Sequence, residues 1–381
     1  ERVARKLGLN ASIWSNPTGI MISFQDLVHG DPYTVTRVLR LEPGDTHLGR
    51  MADADAIAEQ VMAGGLDIQS GLARLNAMDI NPSVSQRLQQ IVCYGLASAM
   101  VLCLFPRTGW NDFFTAAALG SLIGILVQLC ERSRHLKDAV EAVAALLATL
   151  IVYYIAGHLA PLSVQSVIIS ALIIMMPGLM LTTAINELAH QQLASGSARF
   201  AGAVTVLMKL TFGTILAFQL AHFLGWQSLS NSGSSVLPPW MPWAMLLPGS
   251  FALALLFKAN ARDIPIAMAS VLLGYGVMKV CSLFPELSDG VIPTGTFLAA
   301  LIVTAVSNLY ARLFNRPGAL IRVPGIILLV PGSLGFQIMN MALAQEGDGR
   351  LGLAIPLFAA LTALVAGILF GNLLVSSRRN L

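Results

Sequence analysis

The chain has 381 residues, a formal net charge of +3, 55% hydrophobic residues, 11% charged residues and a mean hydropathy of +0.71. Soluble domains carry about 25% charged residues, so an all-soluble protein is excluded and most of the chain belongs in a bilayer. The basic residues form no run, so nothing suggests nucleic acid as a partner.

The polar residues are concentrated at the front: eight of the 23 Lys/Arg and ten of the 20 Asp/Glu precede residue 89. Residues 1–88 read as a small α+β unit on the cytoplasmic side. SIWSNPTGIMISFQ predicts two strands around an Asn-Pro-Thr-Gly turn, and the alternation in YTVTRVLRLE predicts a third. MADADAIAEQVMAGG and DIQSGLARLNAMDI read as helices, the first ended by Gly64 and Gly65. Pro82 opens a helix leading into the first span. Glu1 is not a natural start residue, so the natural N-terminus is expected upstream.

A span needs about 20 mostly apolar residues. Ten segments fit: 89–106, 112–130, 138–158, 163–181, 200–224, 241–257, 264–284, 291–310, 318–341 and 351–376. With the N-terminus in the cytoplasm, the inner loops and tail hold Arg132, Arg134, Lys137, Arg199, Lys258, Arg262, Arg312, Arg316, Arg322, Arg378 and Arg379. The outer loops hold only Arg107 and Arg350. This positive-inside bias places both termini in the cytoplasm of a multi-pass protein of the plasma or inner membrane. The uncharged loop 225–240 divides the spans into two sets of five, 89–224 and 241–381. Because five is odd, the second set runs inverted relative to the first. The expected fold is an α-helical polytopic membrane protein, two inverted five-helix repeats behind the α+β unit.

The fourth span of each set is interrupted. Pro177-Gly178 breaks one and Pro331-Gly332 the other, each about 13 residues, or ~20 Å, into its span. Asn186 and Asn340 each lie nine residues beyond their proline. Proline removes a backbone donor and glycine lets the chain redirect, so both breaks free backbone groups that lipid cannot satisfy. Proline also starts helices, so each downstream half-helix presents N–H groups and a positive dipole end. A carboxylate fits there, and the carbonyls of the preceding half suit an ammonium group. Inverted repeats with paired broken helices mark secondary transporters whose substrate binds near the midplane. The substrate-site set is Pro177, Gly178, Thr182, Thr183 and Asn186 with Pro331, Gly332, Ser333, Gln337 and Asn340. The plainer alternative is a pair of kinks with polar groups tying helices together.

Three ionisable residues are candidates for proton coupling: Glu187, directly after the first break, Lys209 within the fifth span, and Glu141 at the start of the third. An ammonium near the bilayer centre is costed at roughly 2.5–3.5 kcal/mol, so Lys209 needs a partner, Glu187 or Glu141. Asp138 and Glu141 also fit the bland role of helix N-terminal acids, and Lys279 that of a snorkelling side chain. His158, His190 and His222 lie near span ends and read as interfacial. Gly120/Gly124 and Gly367/Gly371 are GxxxG pairs for close helix packing, and a homodimer stays open. Cys93, Cys103, Cys130 and Cys281 read as buried thiols. The chain has no Walker loop, HExxH, CxxC or G-x-S-x-G, so no enzyme, metal site or cofactor is expected.

NPTGIMIS, TRVLRLEPGDTHLGRM, GGLDIQSGLARLNAM, PGLMLTTAINEL…SGSAR and VPGIILLVPGSLGFQ, in that order, resemble the threonine/serine exporter (ThrE) family over nearly the whole chain. The resemblance implies a ten-span secondary exporter of threonine and serine driven by the proton-motive force. Related members with split halves are linked to dicarboxylate export, which makes a dicarboxylate the alternative substrate. The motif falls on Pro177, Gly178, Ser195, Gly196 and Arg199, and on Pro324, Gly325, Pro331 and Gly332. The family usually has Asp where Glu187 stands, and Gly-Asp where Gln191-Gln192 stand. A membrane-anchored receptor or regulatory protein, and a passive channel, are the rivals from other classes.

Overall fold

Long apolar runs without water to bond their backbones satisfy every N–H and C=O locally, and the chain is mostly helical as a result. The computed structural model describes residues 2–26, 34–41, 46–78, 83–131, 133–226, 236–284, 293–343 and 350–376. Pro82, Arg132, Arg378, Arg379 and most of the loop 225–240 lie outside those residues.

The front unit contains helix α1 (Arg2–Lys6), an antiparallel sheet β1 (Leu9–Asn16), β2 (Gly19–Asp26) and β3 (Thr34–Arg40), and helices α2 (Leu48–Met62) and α3 (Ile68–Asn76). The expected turn is there: Pro17 and Thr18 join β1 to β2, with Asn16 paired to Gly19. Gly64, at φ +78°, follows α2 as the sequence predicts.

The helical body runs α4 (Val84–Cys103), α5 (Trp110–Cys130), α6 (Arg134–His158), α7 (Val164–Leu172), α8 (Gly178–Ala189), α9 (Leu193–Phe223), α10 (Met241–Leu256), α11 (Ile264–Cys281), α12 (Thr294–Phe314), α13 (Ala319–Ile326), α14 (Gly332–Leu343) and α15 (Arg350–Leu374). Among the described residues, seven helices are long and apolar enough to cross a membrane, or eight counting the bent pair α7–α8 as one. All ten expected segments fall on helices, but two do not meet that measure. The apolar helix α10 has only 16 residues, and α4 opens on the polar stretch Ser85–Gln90. Two boundaries also move. The helix after the first break continues to Ala189, well past residue 181, and α9 begins at Leu193 rather than 200. Arg199 and Arg322, expected in loops, therefore sit within α9 and α13.

Glycines set the close contacts between helices, because a backbone without a Cβ lets its neighbour approach. Gly95 and Gly120 join α4 to α5, Gly213 joins α9 to α6, and Gly367 and Gly371 join α15 to α12. A Cβ on Gly249 of α10 would lie 2.6 Å from the Met100 Cβ of α4. All four cysteines are buried and unpaired. A Cβ at Gly213 would fall 2.2 Å from the Ala142 carbonyl oxygen, a backbone atom that cannot rotate away. Gly213→Ala should therefore cost about 1–3 kcal/mol, read as a lower thermal midpoint of the purified protein. At Gly276 a Cβ meets nothing within 4 Å, and Gly276→Ala should leave the midpoint unchanged or raised.

Candidate functional site

The two breaks share their local backbone anatomy, although only the first bends by more than 40° and the second lies within a single span, Ala319–Met341. A 3-10 turn, Ile173–Met175 in one and Ile327–Leu329 in the other, tightens the end of the first half-helix. The residue before each proline is then extended, Met176 at φ −70°, ψ 130° and Val330 at φ −73°, ψ 126°, as the proline ring requires. The glycine N–H reaches back over the proline, Gly178 to the Met176 carbonyl at 2.8 Å and Gly332 to the Val330 carbonyl at 2.9 Å. This bond spans three residues, as in a γ-turn. A new helix starts at once, with the Leu181 N–H on the Pro177 carbonyl and the Gly335 N–H on that of Pro331. The other first-turn amides of α8 and α14 have no intrahelical acceptor. The first break bends the chain by 59°.

The structure brings the breaks together. A Cβ on Gly332 would lie 3.2 Å from the Gly178 Cα, and one on Gly178 would lie 3.3 Å from the Gly332 Cα and 2.5 Å from Val330 Cγ1. Pro177, Gly178, Pro331 and Gly332 are all buried. The N-termini of α8 and α14 thus meet backbone to backbone, and their positive dipole ends converge. Beyond the contact the halves cross over. Phe336 of α14 is buried with α6, α7 and α9, while Leu179 of α8 packs against the cluster of α12 and α13.

The polar residues after the breaks divide into three groups. Thr182 and Thr183 are spent locally: their hydroxyls donate to the Gly178 and Leu179 carbonyls at 3.2 and 2.9 Å. Asn186 and Glu187 are the unsatisfied pair. Glu187 Oε1 accepts from Arg199 Nε at 2.8 Å across the α8–α9 turn, but Glu187 Oε2 and Asn186 Oδ1 are buried with no hydrogen bond. Ser333, Gln337 and Asn340 are half-buried on α14.

The structure decides the partner of Lys209. Its ammonium donates to the Asp138 carbonyl at 2.8 Å and lies 3.5 Å from Glu141 Oε2, whereas Glu187 belongs to Arg199. Its neighbours Lys137 and Asp138, near the start of α6, are exposed, so the charge sits by a polar helix start. Sequence reading missed two carboxylates. Asp112 accepts from the Gly109 and Ser163 N–H groups at 2.8 and 2.7 Å, and Asp263, almost fully buried, is ion-paired with Arg316. The signal available for both was an acid at the start of an apolar helix. Among the described residues no group of three or more His, Cys, Asp or Glu could hold a metal ion.

A helical body of this length and hydropathy, with two broken helices meeting inside it, defines a polytopic membrane protein of transporter type. Threonine/serine exporter family models match residues 1–221 and, described as Threonine/Serine exporter, ThrE, residues 244–374; the chain belongs to the threonine/serine exporter family. Among curated relatives, an uncharacterized protein of Schizosaccharomyces pombe is 23% identical over 88% of this chain and 44% of its own length. The pheromone-regulated membrane protein 10 of Eremothecium gossypii is 20% identical over 91% of this chain and 47% of its own. That of Candida albicans is 24% identical over 87% and 30%. The chain thus spans less than half the length of these relatives. No solved structure matches.

Because the glycines touch, any added carbon at the contact forces the two half-helices apart. Gly178→Ala and Gly332→Ala should each lower stability by about 1–3 kcal/mol in thermal unfolding. Adding Val330→Ala to Gly178→Ala should recover part of the loss, since the nearest obstructing atom is then gone.

Proposed function

We propose that this protein is a proton-motive-force-driven exporter of small polar amino acids, threonine and serine, that alternates access around the Gly178–Gly332 contact. The observation that carries this reading is the meeting of two matched breaks, which sets two helix N-termini against each other inside an apolar body. With the breaks parted, the first-turn amides of α8 and α14 would receive a carboxylate, and the open Asn186 oxygen offers an acceptor for an ammonium or hydroxyl group. The unsatisfied Glu187 oxygen, beside Arg199, is the place for a proton to bind on the cytoplasmic side. No chemical conversion is assigned to it.

Internal spacing supports ten helices in two inverted repeats. Pro177 and Pro331, Asn186 and Asn340, and Gly213 and Gly367 are all separated by 154 residues. Gly213 seats α9 on α6 just as Gly367 seats α15 on α12. Asp112 ties the start of α5 to the N-cap of α7, and Asp263 ties the start of α11 to the turn before α13, at what would be opposite membrane faces. The loop charges support cytoplasmic termini, and an exporter acts at the plasma membrane.

Glu187→Gln should abolish proton-linked efflux from proteoliposomes while solute exchange persists; coupling at the wild-type level would remove Glu187 from the mechanism. Asn186→Ala and Asn340→Ala should raise the apparent KM for serine by roughly tenfold, about one lost hydrogen bond. A dicarboxylate is the second reading, favoured by the convergence of two positive helix ends rather than one. A counterflow panel separates them: trans-stimulation by serine and threonine supports the first reading, and stimulation by succinate alone supports the second.

A further inference from the structure

The front unit grips the membrane body through the first turn of α2, at a place the transport reading does not use. The N–H groups of Leu48 and Gly49 donate to the Phe257 and Lys258 carbonyls at 2.9 and 3.0 Å, continuing the backbone bonding of the turn that ends α10. Leu48 is fully buried, in one cluster with Ala299, Tyr310, Ala319 and Ile321. Gly49 has no room for a side chain, since a Cβ would lie 2.7 Å from the Lys258 carbonyl oxygen. One turn further along, Asp53 accepts from Asn260 Nδ2 at 2.9 Å and Arg262 Nη2 at 3.4 Å. Arg262 in turn lies 3.8 Å from Asp263, the partner of Arg316. Every one of these body contacts falls on the second membrane half.

The turn is held in shape by His47. It is the N-cap of α2, and its Nδ1 accepts from the Arg50 N–H at 3.1 Å. A ring nitrogen accepts only without a proton, so this cap exists only in the neutral imidazole. The charges around it favour neutrality: Arg50 of its own helix and Lys258 of the turn after α10 oppose a positive ring, against a hydrogen bond to its own backbone and the Asp53 carboxylate, which support one. Arg322 belongs to α13, which also packs on α2. Burial, then Arg50 and Lys258, hold the imidazole below its ordinary value.

We propose that the first turn of α2 is a clasp fastening the front unit to the second membrane half, and that protonation of His47 releases it. The docked ring, held below its ordinary value, takes up a proton less readily than the free one. The released state binds the proton more readily, so docking is strongest above the ordinary histidine value of about 6.5 and weakens as pH falls below it. That the clasp restrains the inner end of an exporter rests on the transport reading; docking itself does not.

Hydrogen exchange of the full chain, corrected for intrinsic rates, tests docking whether or not solute moves. In the peptide covering His47 to Asp53, protection should drop roughly tenfold between about pH 7.5 and about pH 5.5. His47→Asn, which caps a helix without titrating, should keep its protection at both pH values. Asp53→Ala should lower protection at both. Equal wild-type protection at the two pH values, the same acid loss in His47→Asn, or an unaffected Asp53→Ala would each overturn the proposal.

Discussion

Two glycines held backbone to backbone are the constraint on which the rest of this architecture depends. Each lies directly after a proline, and neither α8 nor α14 could begin where it does if its neighbour carried a side chain. The contact explains several features at once. It dictates the tight three-residue turn at each proline, the 3-10 ending before it, and the crossing of Phe336 and Leu179 into each other's halves. A protein interior this close-packed does not deform gradually, so a contact of this kind is held or lost as a unit. The exporter reading places its substrate at that junction, where freed amides would otherwise have no partner.

Around the junction, charge is handled in pairs that span element boundaries. Glu187 and Arg199 close the α8–α9 turn, Lys209 and Glu141 join α9 to α6, and Asp263 and Arg316 join α11 to the turn before α13. An isolated ion in a membrane body is expensive, and pairing removes most of that cost while leaving each group within reach of its partner. All three carboxylates keep one buried oxygen without a hydrogen bond: Glu187 Oε2, Glu141 Oε2 and Asp263 Oδ2. Of the three, Glu187 is the one on a half-helix that starts at a break.

Much of this was legible in the sequence because it is written locally. The Asn-Pro-Thr-Gly hairpin, the glycine stop after α2 and both proline-glycine breaks depend on residues that are neighbours in the chain, and each stands where expected. The proximity of the breaks was also inferable, from their matching positions in the two sets of apolar segments. What was not legible is set by distance along the chain. Nothing local to Asp53 marks Asn260 as its partner, and nothing in Lys209 itself chooses Glu141 over Glu187. That choice follows from the length of α9, which begins a full two turns before its apolar stretch and carries Arg199 to Glu187 first. Thr182 and Thr183 fit a substrate site by type, yet a hydroxyl within a helix bonds readily to the carbonyl four residues back, and both do so.

The four thiols have a practical bearing beyond packing. Cys93, Cys103, Cys130 and Cys281 are all interior, so these 381 residues already offer a chemically silent exterior to maleimides and spin labels. Reporter cysteines can be introduced singly on either side of the Gly178–Gly332 junction without first stripping the native ones. The motions of the two halves can then be followed in a sequence otherwise left intact.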